Sequence, residues 1–122
     1  MEVSTDLSVL VDEEELRACV PAMPAALAER QVIASDIAVE VVDAECAADN
    51  VLVREYVWKH GEKPVGLVVW RVIVNAETVL ALPKVTQAVA EALPAGALSY
   101  GTSEIGHTEF GLGTTLAYSA SR

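Results

Sequence analysis

The chain has 122 residues, 52% of them hydrophobic, and a net charge of −10 from eighteen Asp and Glu against eight Lys and Arg. That length fits one domain spanning 1–122, and that apolar content supplies one core, which excludes a disordered acidic protein. The charge repels phosphate backbones and anionic head groups, so nucleic acid and membrane surfaces are excluded as partners; a small anionic organic substrate is compatible wherever a few basic residues converge.

No apolar run reaches the roughly 18 residues that would span a bilayer. The start, Met1 to Leu16, is acidic and lacks the basic region of a secretion signal, so the expected location is cytoplasmic. Cys19 and Cys46 have no CxxC or His spacing and are expected as reduced thiols; no metal site and no cofactor are predicted.

Asp12-Glu13-Glu14-Glu15 opens a helix running to about Cys19, because acidic residues are favoured in a first helical turn. Pro24 suits a first helical position and predicts a short helix to Arg30. Gln31 to Asp43 alternates, with Ile33, Ser35, Ile37, Val39 and Val41 on one side, which predicts a strand with one wet face. Ala44 to Asn50 is a polar connection. Val51–Lys59 and Pro64–Val74 are β-rich runs joined by His60-Gly61-Glu62-Lys63, which predicts a hairpin. Glu77 to Leu93 has Leu82, Val85, Val89 and Leu93 at helical spacing, and Pro94-Ala95-Gly96 stops that helix. Ala97–Tyr100 reads as a short strand, Gly101–Gly113 as a glycine-containing loop and Thr114–Tyr118 as a last strand. The predicted class is α+β, an antiparallel sheet with flanking helices.

In the predicted hairpin Arg54 shares a strand face with Leu52, Tyr56 and Trp58. A guanidinium is charged at any working pH, so its burial requires an anionic partner. Its planar fork matches a carboxylate, and the aromatic neighbours would stack on a ring. The plainer alternative is an arginine paired to a structural carboxylate. Arg71 interrupts the apolar face of the second strand, either to join Arg54 or to snorkel at a strand end. In the loop, His107 and Glu109 are the candidate acid or base, and the glycines there permit a lid.

At this hairpin the sequence resembles the chorismate lyase family. Val53-Arg54-Glu55, the turn ending at Pro64, and Arg71-Val72-Ile73-Val74 resemble that family's Leu-Arg-Glu strand, Gly-Glu-Pro turn and Arg-Thr-Val-Val-Pro stretch. Thr78-Val79-Leu80 and a helix come next, as in the family. Pro94-Ala95-Gly96 resembles its Pro-Leu-Gly, Gly113 follows at the familiar distance, and Ala22-Met23-Pro24 resembles its Ser-Met-Thr. The resemblance implies a chorismate-lyase-like fold and elimination of pyruvate from chorismate to give 4-hydroxybenzoate, or a related step in specialised biosynthesis, without metal or cofactor. It implies that Arg54 holds a ring carboxylate, that Arg71 assists, and that Met23 and Ala95 line the pocket. Departures accompany it: Asn75 stands at the family's proline, and no counterpart of its C-terminal glutamate is found, which leaves proton delivery to Glu109 or His107. The Gly61-Glu62-Lys63-Pro64-Val65 turn also resembles the effector-binding domains of GntR-type regulators, which implies the alternative of a non-catalytic small-molecule-binding domain. A monomer or a homodimer fits either reading.

Overall fold

A computed structural model of the protein describes residues 1–110 and 115–119. Its ordered elements are β1 (Glu2–Val11), α1 (Glu13–Cys19), a 3-10 turn (Val20–Ala22), α2 (Met23–Glu29), β2 (Val32–Asp43), α3 (Val51–His60), β3 (Val68–Thr78), α4 (Leu82–Ala92), β4 (Leu98–Ile105) and β5 (Thr115–Ser119). The strands form one sheet in the order β4-β1-β3-β2-β5, and every ladder is antiparallel. The α+β class with flanking helices is therefore observed.

β1 is the first departure from expectation. It lies between β3 and β4, in a segment read from sequence as an acidic lead-in. Val3, Leu7, Val9 and Val11 turn to the main core, while Ser4, Asp6 and Ser8 alternate onto the opposite face. Thr5 also faces the core side, and its hydroxyl is satisfied at 2.7 Å by Ser103 of β4, which meets Thr86 of α4 at 2.6 Å.

α1 starts as its acidic turn predicts, with the Asp12 carboxylate accepting from the Glu15 amide. α2 follows with Pro24 in its first turn. These helices and α4 cover one face of the sheet around Leu7, Leu16, Met23, Leu27, Ile37, Val72 and Val89. α4 begins at Leu82, later than the predicted Glu77, because β3 continues through Thr78.

β2 forms where expected but with altered faces. A register break between Ala34 and Asp36 shifts the alternation. Val32 and Ala34 are therefore buried before it and Ile37 and Val39 after it, while Ile33 and Val41 are exposed. The Ser35 hydroxyl donates to the Asn75 carbonyl at 3.0 Å.

The predicted hairpin is the main correction. Val51–His60 is a helix, so Arg54 is not on a strand and does not share its face with Leu52 and Tyr56. The Asn50 side chain caps it by accepting from the Leu52 and Val53 amides. Gly61, at φ 79°, closes it in the left-handed conformation that glycine tolerates best. Leu52, Val53 and Tyr56 then fall on one helical face and pack on Leu10, Val69 and Leu98, on the opposite side of the sheet from the main core.

β4 continues to Ile105, so Gly101–Ile105 is strand and not loop. A Cβ on Gly101 would lie 2.0 Å from the Asp6 carbonyl oxygen, which explains a glycine in this strand. β5 spans Thr115–Ser119; Gly111, Gly113 and Thr114 lie outside the described residues.

Candidate functional site

The predicted site residues occupy separate places. Met23 is fully buried in the main core. Ala95 and Tyr56 come together in a small cleft of about 160 Å³ with Leu10, His60, Leu67 and Leu98. His107 lies within 3.9 Å of Glu2 and 3.6 Å of Glu109, whose side chain is 92% exposed. Arg54 and Trp58 come together on the outer side of α3.

Arg71 stands on the sheet face not covered by α1, α2 and α4, and its guanidinium is committed to carboxylates. Nε reaches both Asp6 oxygens at 3.1 Å, Nη2 donates to Asp6 Oδ2 at 2.7 Å, and Nη1 donates to Glu40 at 3.2 Å. The hydrogen bond to Asp6 is the main cause that raises the arginine's pKa further above its ordinary value. Arg71 thus ties β1, β3 and β2 together, the structural-carboxylate role that the sequence reading weighed for Arg54. Replacing Arg71 with Leu is expected to lower stability by about 1–3 kcal/mol, because Asp6 and Glu40 lose their shared counter-ion. Added salt should narrow that loss in urea titrations by screening the two carboxylates; a loss that salt does not change would count against it.

Beside Arg71, Asp6, Ser8, Tyr100, Thr102, Glu104 and His107 line a groove of about 350 Å³. Asn75 anchors one end of it. The Asn75 amide donates to Asp36 at 2.8 Å and to the Thr108 carbonyl at 3.0 Å, and accepts from the Thr108 amide at 2.9 Å. Ser4 and Thr108 add a hydroxyl contact. This network fixes the segment leaving β4 as it turns back over β1 and β3. Sequence reading noted Asn75 only as a departure from a family proline.

The outer side of α3 has a different character. Helical spacing puts Arg54 and Trp58 one turn apart, with Val57 between them. With Ala48, Val53 and Lys63 they border a shallow hollow of about 520 Å³. Trp58 is 83% exposed and Val65, just beyond, is 90% exposed. Arg54, Lys59 and Lys63 are three of the eight basic residues in the chain. Lys59 faces Glu55 at 3.6 Å, whereas Arg54 has no side-chain partner among the described residues. A cation and an indole on one exposed ridge offer an anionic ligand both charge and an apolar platform. Val57 and Lys63 were missed from sequence; the helical period would have joined them to Arg54.

Burial raises the pKa of both Cys19 and Cys46, which disfavours their thiolate forms. Among the described residues no group of three or more His, Cys, Asp or Glu is placed to hold a metal ion. Among the described residues no helix is long and apolar enough to cross a membrane. No protein-family model, curated protein or solved structure matches the chain.

Proposed function

We propose that this protein is a non-catalytic interaction domain, and that the outer face of α3 docks an acidic segment of a partner protein carrying an apolar anchor. The observation that carries this reading is Arg54, unpaired among the described residues, beside the exposed indole of Trp58 in a chain of net charge −10. Tryptophan and arginine are the residues that most often dominate binding energy at interfaces. The hollow beside them is shallow and bordered by Val57 and the Trp58 indole, which suits a side chain inserted from a partner's surface.

The resemblance to chorismate lyases gave Arg54 an enclosed ring carboxylate on a strand face. On α3 the arginine keeps its capacity for carboxylates, but Arg71, His107 and Glu109 lie elsewhere, on or beside the polar face of the sheet. The binding half of that expectation is retained here, and elimination is not.

Peptides selected for binding from a random displayed library should share carboxylates flanking an aromatic or aliphatic residue. Arg54→Ala and Trp58→Ala should each weaken the best of them by about 2 kcal/mol. Peptides indifferent to both changes would sink the docking reading. Incubation with chorismate tests the lyase alternative directly: 4-hydroxybenzoate and pyruvate above background would replace the present proposal with an enzyme.

A further inference from the structure

β4 ends the sheet, and among the described residues no strand pairs with its outer side. Its inner side is used by alternate residues. Gly106 donates its amide to the Glu2 carbonyl at 2.9 Å, and Glu104, Thr102 and Tyr100 stand opposite Ser4, Asp6 and Ser8. Antiparallel ladders bond every second pair, so these even-numbered residues turn their backbone groups to β1. The amides and carbonyls of Ser99, Gly101, Ser103 and Ile105 therefore point outward, a row of donors and acceptors without partners among the described residues. Edges of this kind are normally blunted by lysine, proline or several charges. Within its eight residues β4 has neither lysine nor proline, and a single charge, Glu104.

The two flanks of that edge differ. On the side of the main core, a groove of about 370 Å³ lies between β4 and the start of α4, bordered by Leu82, Pro83, Thr86 and Gly101. Ile105 is on this side and is 71% exposed, so an aliphatic residue set opposite it would bury apolar surface on both. On the other side are Tyr100, Thr102 and Glu104, with Glu2 and Asp6 on the neighbouring β1. Arg71 is the only Lys or Arg in β1, β3 and β4, and Asp6 and Glu40 already hold it. Glu104 has no side-chain partner among the described residues. That flank is therefore negative and complements a cation.

We infer that β4 takes up an extended segment of a partner protein as a sixth, antiparallel strand, in which lysine or arginine alternates with small aliphatic residues. Main-chain bonds to Ser99, Gly101, Ser103 and Ile105 hold the segment. Its aliphatic residues face the groove beside α4, and its basic residues lie over Tyr100 and Glu104. A second copy of this chain is the poorer occupant, since two chains of net charge −10 repel each other. β4 and the outer face of α3 are separate surfaces that select opposite charge, and either stands without the other.

The probe is a short capped peptide of alternating lysine and valine, titrated into the full chain and followed in its backbone amide spectrum. Saturable shifts should centre on the amides of Ser99, Gly101, Ser103 and Ile105, and hydrogen exchange there should slow. In the bound strand the valine amides face β4 and the lysine amides face solvent. N-methylation of the valines should therefore weaken binding about tenfold or more, and N-methylation of the lysines by less than about threefold. Ile105→Pro removes an outward N–H at an exposed position and leaves the ladder to β1 intact. It should weaken the unmethylated peptide about threefold to tenfold, with the Thr102 and Glu104 amides still protected as evidence of folding. Equal loss from the two N-methylated peptides, or indifference to Ile105→Pro, would reduce the effect to charge attraction and overturn the inference. No saturable shift at millimolar peptide would overturn it too. So would a dimer of the protein alone that Ile105→Pro dissociates, which would give the edge to a second copy.

Discussion

Asn75→Asp should destabilise the protein by about 3–5 kcal/mol at neutral pH, the range for an uncompensated buried charge. Asn75 is fully buried in β3, and its amide orientation is fixed by its partners. Thr108 offers an amide to Oδ1 and a carbonyl to Nδ2, while Asp36 accepts the remaining amide proton. A carboxylate at this position keeps the acceptor and loses both donations. It then confronts the Asp36 carboxylate and the Thr108 carbonyl without a proton between them. The folded state therefore disfavours the ionised form, and the new group's folded pKa lies above its unfolded one. The sign follows: the penalty is full above both pKa values and shrinks as pH falls through the folded one. Urea titrations of parent and variant should show a gap that narrows on acidification. A gap independent of pH, or below about 1 kcal/mol at neutrality, would show that Asn75 is not the hub described here. Asn75→Leu adds no charge and should leave a smaller gap that acidification changes far less.

The second large effect concerns Met23. Read from the family resemblance, Met23 lines a ligand pocket, and its truncation would alter binding. In the fold it begins α2 with no exposure and packs inside the main core with Leu16 and Leu27. Met23→Ala removes most of a buried side chain and leaves a cavity that neighbouring elements close only in part. The expected loss is about 2–5 kcal/mol. Met23→Leu conserves volume and should cost less than about 1.5 kcal/mol. In denaturant the midpoint should fall for Met23→Ala with the slope unchanged, as for a simple loss of native stability. A Met23→Ala protein as stable as its parent would mean that this position faces space rather than core.

The parts of the fold legible from sequence are those where local chemistry and tertiary packing agree. Asp12 and the glutamates after it mark α1, Pro24 marks α2, and the Val85 and Val89 spacing marks α4. α3 misleads because Val51, Val53 and Val57 favour strands locally, while Asn50 and Gly61 bracket a helix that buries Leu52 and Val53 and half-buries Tyr56. Tertiary packing decides between these signals, since the helix has Leu10 and Val69 to cover. The faces of β2 could not be read because an irregularity at Ser35 shifts the parity of everything after it. The candidate site inherits the α3 error. Strand alternation put Trp58 on one face with Arg54, whereas a helical turn joins them.

The serines and the aspartate that hid β1 from a hydrophobic pattern bear on how the chain assembles. Among the described strands, only the β2–β3 ladder joins ones that follow each other in sequence. β1 pairs with β3 and β4, so Thr5 meets Ser103 across 98 positions. β1, an interior strand, is thus the first made and waits for both of its partners, a high contact order that slows folding and prolongs the exposure of unpaired strand. During that wait Ser4, Asp6 and Ser8 interrupt what would otherwise be an uninterrupted apolar ribbon. A charge within such a strand acts as a gatekeeper against pairing with other copies. Asp6 therefore serves twice, first as a deterrent to aggregation in the unassembled chain and then as the carboxylate that receives Arg71.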